Sequence, residues 1–240
     1  LYFKDVSLFS NLLLNKDTSL KYNIKDNLIS FQSDELKYTY NGIIELKPFY
    51  LTANFDYEGI STKNFLNNNS LFFDIIKSEI LNNSNLSTNI NLKVKKIVNI
   101  EELNDLLLKI TIEEGKFILS NSNIMWKDDL KITLKESLLN YDENEINLTG
   151  KFIIDIVDLK NFYRSFQIKK KSRKKIDKIE FDFYYNFDQK EINFDNIKID
   201  NNTSLVLDKF ITRFNNNEKK FINKIMFKNF VSKFFDNYDG

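Results

Sequence analysis

Neither cysteine nor histidine occurs in the 240 residues. Without cysteine, the chain has no structural disulfide, iron–sulfur cluster, thiolate zinc site or thiol nucleophile. Without histidine it also lacks the commonest metal ligand, the usual general base and any nucleophile–histidine pair. Glycine is scarce at five residues, and no G-x-x-x-x-G-K-[ST], G-x-G-x-x-G or G-x-S-x-G sequence is present, so nothing in the sequence cradles a phosphate or presents an elbow serine. One Pro, one Ala, one Trp and three Arg stand against a wealth of Lys, Asn, Ile and Phe. Those favoured residues have AT-rich codons, a bias that bears on the missing histidine too.

Charge is balanced, with Lys+Arg 35 against Asp+Glu 34 and a net +1, which argues against a protein built to neutralise nucleic-acid phosphates. No apolar run reaches the roughly 18 residues of a membrane-spanning helix. No basic segment followed by a continuous apolar one marks a signal peptide. The sequence begins at Leu1 and stops at Gly240 in mid-pattern, and it is expected to be a piece of a longer protein.

What fills the chain is apolar and polar alternation, the period-2 mark of strands with one buried face. Leu20, Tyr22 and Ile24 alternate up to Asp26-Asn27, and Ile29 and Phe31 continue beyond it. Asn41-Gly42 is expected to make a tight hairpin turn between Leu36–Tyr40 and Ile43–Lys47. Phe49, Leu51, Ala53, Phe55 and Tyr57 alternate after Pro48; later hairpins turn at Glu113-Glu114-Gly115, Asp128-Asp129 and Asp188-Gln189-Lys190. Helices are expected near 70–82, with Ser70 as cap, near 158–166, capped by Asp158, and near 228–238, where Phe227, Phe230, Val231, Phe234, Phe235 and Tyr238 fall at spacings of three and four. The fold class is therefore mainly β: an antiparallel curled sheet or open β-groove of successive hairpins, with a few short amphipathic helices. Residues 1–168 form the meander, 169–175 a basic linker and 176–240 the C-terminal strands and helix.

The acidic pairs Glu101-Glu102, Glu113-Glu114 and Asp128-Asp129 lie at turns or strand ends without calcium-loop spacing, and they read as solvated turns. No catalytic residue, metal or cofactor is expected. The basic run Lys169, Lys170, Lys171, Arg173, Lys174 and Lys175 is either a solvated connector or a site for anionic headgroups. The inward side chains Leu108, Ile110, Ile112, Ile132, Leu134, Phe152, Ile154 and Ile156 are candidates for an apolar lipid groove, and equally for the inside of a closed core. Trp126 sits in an apolar strand pattern, unlike the exposed aromatics of a sugar platform.

The stretch Leu148-Thr149-Gly150-Lys151-Phe152-Ile153-Ile154-Asp155-Ile156, followed by Asp158-Leu159 and an aromatic helix, resembles the glycine-punctuated strand and short helix of AsmA-like bacterial envelope proteins. Asn41-Gly42 running into Pro48-Phe49-Tyr50-Leu51, and the ending Asn229-Phe230-Val231-Ser232-Lys233-Phe234-Phe235, look like that family too. The resemblance implies a non-enzymatic protein of the periplasm, anchored in the inner membrane by a segment outside this sequence. It also implies phospholipid as the partner, with lipid handling or outer-membrane biogenesis as the role. Nucleic acid and small-molecule substrates are not expected; a structural or adhesive β-rich protein with a closed core is the alternative.

Overall fold

In the computed structural model, residues 20–33, 38–61, 74, 76–78, 83–119, 121–216 and 224–238 are described. Twelve strands make one sheet: β1 (Leu20–Lys25), β2 (Leu28–Ser33), β3 (Tyr38–Leu46), β4 (Phe49–Ile60), β5 (Leu86–Ile97), β6 (Leu103–Glu113), β7 (Lys116–Ile118), β8 (Ser122–Trp126), β9 (Leu130–Asp142), β10 (Glu145–Ile156), β11 (Lys178–Asn186) and β12 (Glu191–Ile199). The sheet follows chain order, except that β7 and β8 lie end to end between β6 and β9. All pairs are antiparallel apart from β4 and β5, which run parallel. That one parallel pair departs from the expected run of hairpins, because parallel neighbours need a crossover instead of a turn.

The alternation sets a polar face and an apolar face. On the polar face, asparagines bond across strands: Asn54 Nδ2 donates to Asn41 Oδ1 at 3.2 Å and Asn91 Nδ2 to Asn54 Oδ1 at 3.0 Å. On the apolar face, cross-strand neighbours match in register, as in Tyr40–Phe55, Ala53–Ile90 and Ile90–Ile110. Their packing forms a core in the N-terminal half around Tyr57, which is 0% exposed. A second core in the C-terminal half gathers around three helices: α1 (Leu159–Ser165), α2 (Leu205–Asn215) and α3 (Lys224–Asn237).

The turn expected at Asn41-Gly42 is not there. β3 runs straight through both residues, and the chain reverses one turn later at Lys47-Pro48, where Leu46 pairs with Phe49. Gly42 serves packing instead: a Cβ on it would lie 2.3 Å from Phe31 Cζ and 2.6 Å from the Thr52 carbonyl oxygen. The Phe31 ring thus fills the space a side chain would take, a use of strand glycine that sequence patterns share with turns. Gly42→Val is expected to cost about 1–3 kcal/mol through that collision, read as a lower thermal midpoint.

Asp158 caps α1 as expected, its Oδ1 accepting from Asn161 N at 2.9 Å. The helix expected near 70–82 is described only at Asp74 and Ile76–Ser78, of which Asp74, Ile76 and Lys77 are helical and Ser78 is a turn, with Ile76 buried in the N-terminal core. Its other positions, Ser70, Phe72, Ile75 and Ile80 among them, lie outside the described residues, as does Leu36. α2 is unanticipated; Ser204 caps it, accepting from Leu207 N, while Leu207, Ile211 and Phe214 pack inward.

Candidate apolar groove

Between α3 and the sheet lies a cavity of about 390 Å³ whose lining is entirely aliphatic and aromatic. The sheet wall is laid down by register. Ile124, Ile132, Ile154, Ile179 and Ile199 sit opposite one another across β8, β9, β10, β11 and β12, and the first four line the cavity. The adjoining row is Leu134–Phe152–Phe181, in which Phe152 lies 4.2 Å from Phe183 between ring centroids and 5.5 Å from Phe181.

The opposite wall is the aromatic stripe of α3. Phe227 meets Trp126 at 5.8 Å and Phe166 at 5.9 Å; Phe230 meets Phe194 at 5.5 Å and Phe214 at 4.6 Å; Phe235 meets Phe162 at 5.4 Å. α3 therefore bridges α1 on one side and α2 on the other. These aromatic contacts hold it over the sheet face.

Burial varies around the lining: Phe162, Phe166, Phe234 and Phe235 are buried. Ile124, Ile132, Phe152, Ile154, Phe181 and Ile192 on the sheet, and Phe227, Phe230 and Val231 on α3, are only half-buried although they too line the cavity. Leu103 and Ile124 pack against the N-terminal core as well.

Among the groove candidates, Ile132, Phe152 and Ile154 line the cavity. Leu134 and Ile156 pack against the same C-terminal core without lining it. Ile110 and Ile112, each 5% exposed, and Leu108 beside them belong to the other core. Sequence reasoning found the aromatic stripe of α3, but it did not place Trp126, Phe162, Phe166 or Phe194 at the cavity.

The basic run is not a loose linker. β10 and β11 pair directly from Asp155–Lys178 onward, so the sheet continues unbroken across it. Ile168 and Ile176, flanking the run, are each 1% exposed, and Lys170–Ser172 is a single 3₁₀ turn. Arg173 Nε donates to the Ile168 carbonyl at 3.0 Å and its guanidinium lies 5.6 Å from the Tyr163 ring centre, while the Tyr163 hydroxyl donates to the Lys174 carbonyl. Burial pushes the Tyr163 phenol above its ordinary pKa, against the opposing pull of that hydrogen bond and of Arg173. Lys169 Nζ donates to Asp236 Oδ2 at 2.7 Å and Ser172 Oγ to Asp236 Oδ1 at 2.6 Å, which latches the end of α3. Lys170, Lys171 and Lys175 are exposed.

The latch is a titratable contact. The hydrogen bonds from Lys169 and then Ser172 hold the Asp236 carboxyl below its usual range. A carboxyl lowered in the folded state adds stability above its unfolded pKa of about 4, and that stability is lost as pH falls through the lowered folded value. Asp236→Asn is thus expected to speed amide exchange in the last turn of α3 at neutral pH. In acid below the lowered pKa the two proteins should exchange alike; equal rates at neutral pH would refute the latch.

One acidic pair departs from expectation. Asp129 is 6% exposed, accepts from Ser165 Oγ at 3.2 Å, and its carbonyl receives Val157 N at 2.8 Å. It joins the β8–β9 turn to α1 instead of facing solvent. Among the described residues, no three acidic side chains gather as a metal site. Compared with known proteins, the chain matches no family model, no curated sequence and no solved structure.

Proposed function

We propose that this chain is a non-enzymatic, AsmA-like module of the bacterial envelope that shelters the apolar part of a phospholipid, working in the periplasm as part of an inner-membrane-anchored protein. The observation that carries this reading is the cavity. Apolar wall left facing water in this cavity of about 390 Å³ forgoes roughly 25 cal/mol per Å² of burial. Whole domains are stable by only about 5–15 kcal/mol. Water relieves little of that cost, because the surface of the lining is apolar and the one N–H carried by a lining side chain, Trp126 Nε1, is buried away from it. An apolar ligand relieves it fully, and the size falls in the range of about 300–1,000 Å³ typical of ligand pockets.

A ligand-free structural module is the second reading. The N-terminal half favours it, since Ile90, Leu92, Ile110 and Ile112 are packed as tightly as any closed core. Native mass spectrometry with lipid extraction, on protein purified from a bacterial host, decides between the two. One phospholipid per chain is the expected result; a stable, compact, lipid-free monomer would overturn the lipid reading in favour of the structural one.

A further inference from the structure

Building on the lipid reading, we infer that the cavity takes one unbranched alkyl chain, tail first, and does not read the head group. Its lining is apolar throughout, so nothing inside recognises a charge or a hydrogen-bonding group. A polar head drawn in would lose its water without compensation, a cost of a few kcal/mol that keeps it outside. Orientation follows from the lining: the tail lies among side chains such as Phe162, Phe166 and Phe235, and the head stays in water.

Lys170, Lys171 and Lys175 do not line the cavity, so its wall brings no anionic selectivity. A methylene occupies about as much space as the ~30 Å³ share of a liquid water. The cavity of about 390 Å³ then has room for at least roughly a dozen methylenes, the length of one alkyl chain.

Trp126 is the one tryptophan of the chain and lines the cavity, so its fluorescence reports occupancy. The probes are dodecanoate, dodecyl maltoside and dodecyltrimethylammonium, which share a tail and differ in head charge, together with the alkanoates from eight to eighteen carbons, all below their critical micelle concentrations. The three heads are expected to bind within about threefold of one another. The alkanoates should tighten about fourfold per added methylene and then level off once the cavity is full. Val231→Phe fills space from α3 and should move that levelling to a shorter chain, a shift that a folded variant must show. Binding confined to the anionic head, or tightening that continues unbroken to eighteen carbons, overturns the inference. So does binding of phosphatidylglycerol vesicles with no response to any single-chain probe, although that outcome leaves the lipid reading standing. Silence toward every amphiphile, with no co-purifying lipid, removes both.

Discussion

Ile110→Asp is expected to unfold the chain, while Ile154→Asp leaves it folded and empty. Both are apolar strand residues on the same face of one sheet. What separates them is what stands opposite. Ile110 is 5% exposed, paired with Ile90 and packed in the N-terminal core, so a carboxylate there has neither water nor a partner. An unpaired buried charge of this kind costs about 4 kcal/mol or more, a large part of a domain's total stability. Ile154 lies between Ile132 and Ile179 with the cavity in front of it. A carboxylate at that position can draw water into the 390 Å³ already present, so the fold survives, but a hydrated charge at the wall removes the apolar surface an alkyl chain needs. Circular dichroism and lipid extraction on the two variants check the pair. If Ile154→Asp unfolds like Ile110→Asp, the cavity is part of a closed core and the groove reading fails.

The strands were legible because period 2 records which side of a strand is buried, and burial on one face is what this sheet imposes almost everywhere. Less visible were the places where that phase slips. Leu103 and Leu106, Leu134 and Ser137, and Phe194 and Ile197 share a face at a spacing of three. In each gap sits a residue with left-handed backbone: Asp105 at φ 46°, Glu136 at φ 49° and Asn196 at φ 51°. These are bulges, with one extra residue on one strand, and they bend and twist the sheet. At the first and third the signal was in the sequence, as an apolar step of three within a strand; at the second the buried Ser137 hides it. At the second bulge, Ser137 occupies the space above Gly150, where a Cβ would come within 2.2 Å of Ser137 Oγ. Gly42 was misread for the complementary reason: its local sequence suits a turn, and only the position of Phe31, a strand away, shows that a ring needs the room.

The cavity itself was half legible. The aromatic spacing of α3 predicted a helix with a face to bury, and the alternation of β9 and β10 predicted the wall that it faces. Their meeting was not predictable from either. Phe227 reaches Trp126 and Phe235 reaches Phe162 only because α1 and α2 flank α3, and α2 follows from a capping serine and three apolar residues that no strand pattern flags. The basic run illustrates the same limit. Its charge density suggested a solvated connector or a headgroup site, whereas Asp236, far along the chain, turns Lys169 and Ser172 into an anchor for α3.

Phe235→Ala tests that meeting directly, and it is expected to cost about 3–5 kcal/mol. Phe235 is 1% exposed, with ring centroids of Phe162, Tyr163 and Phe234 at 5.4, 6.0 and 5.4 Å, and it lines the cavity. Its removal joins the vacated space to a void that is already large, so the surroundings have little chance to collapse and recover the loss. Strands β4, β5 and β6 do not depend on this ring, because their apolar face packs in the N-terminal core, to which Phe235 does not belong. The destabilisation should therefore fall on α3, with faster hydrogen exchange at 224–238 and on α1, and little change in β4, β5 and β6. A bound alkyl chain should restore protection in the variant more than in the parent, because it fills the space the ring left, and the longest chain accepted should lengthen. Uniform loss of protection across the whole sheet would mean instead that α3 is integral to one cooperative core and cannot serve as the movable wall of a binding site.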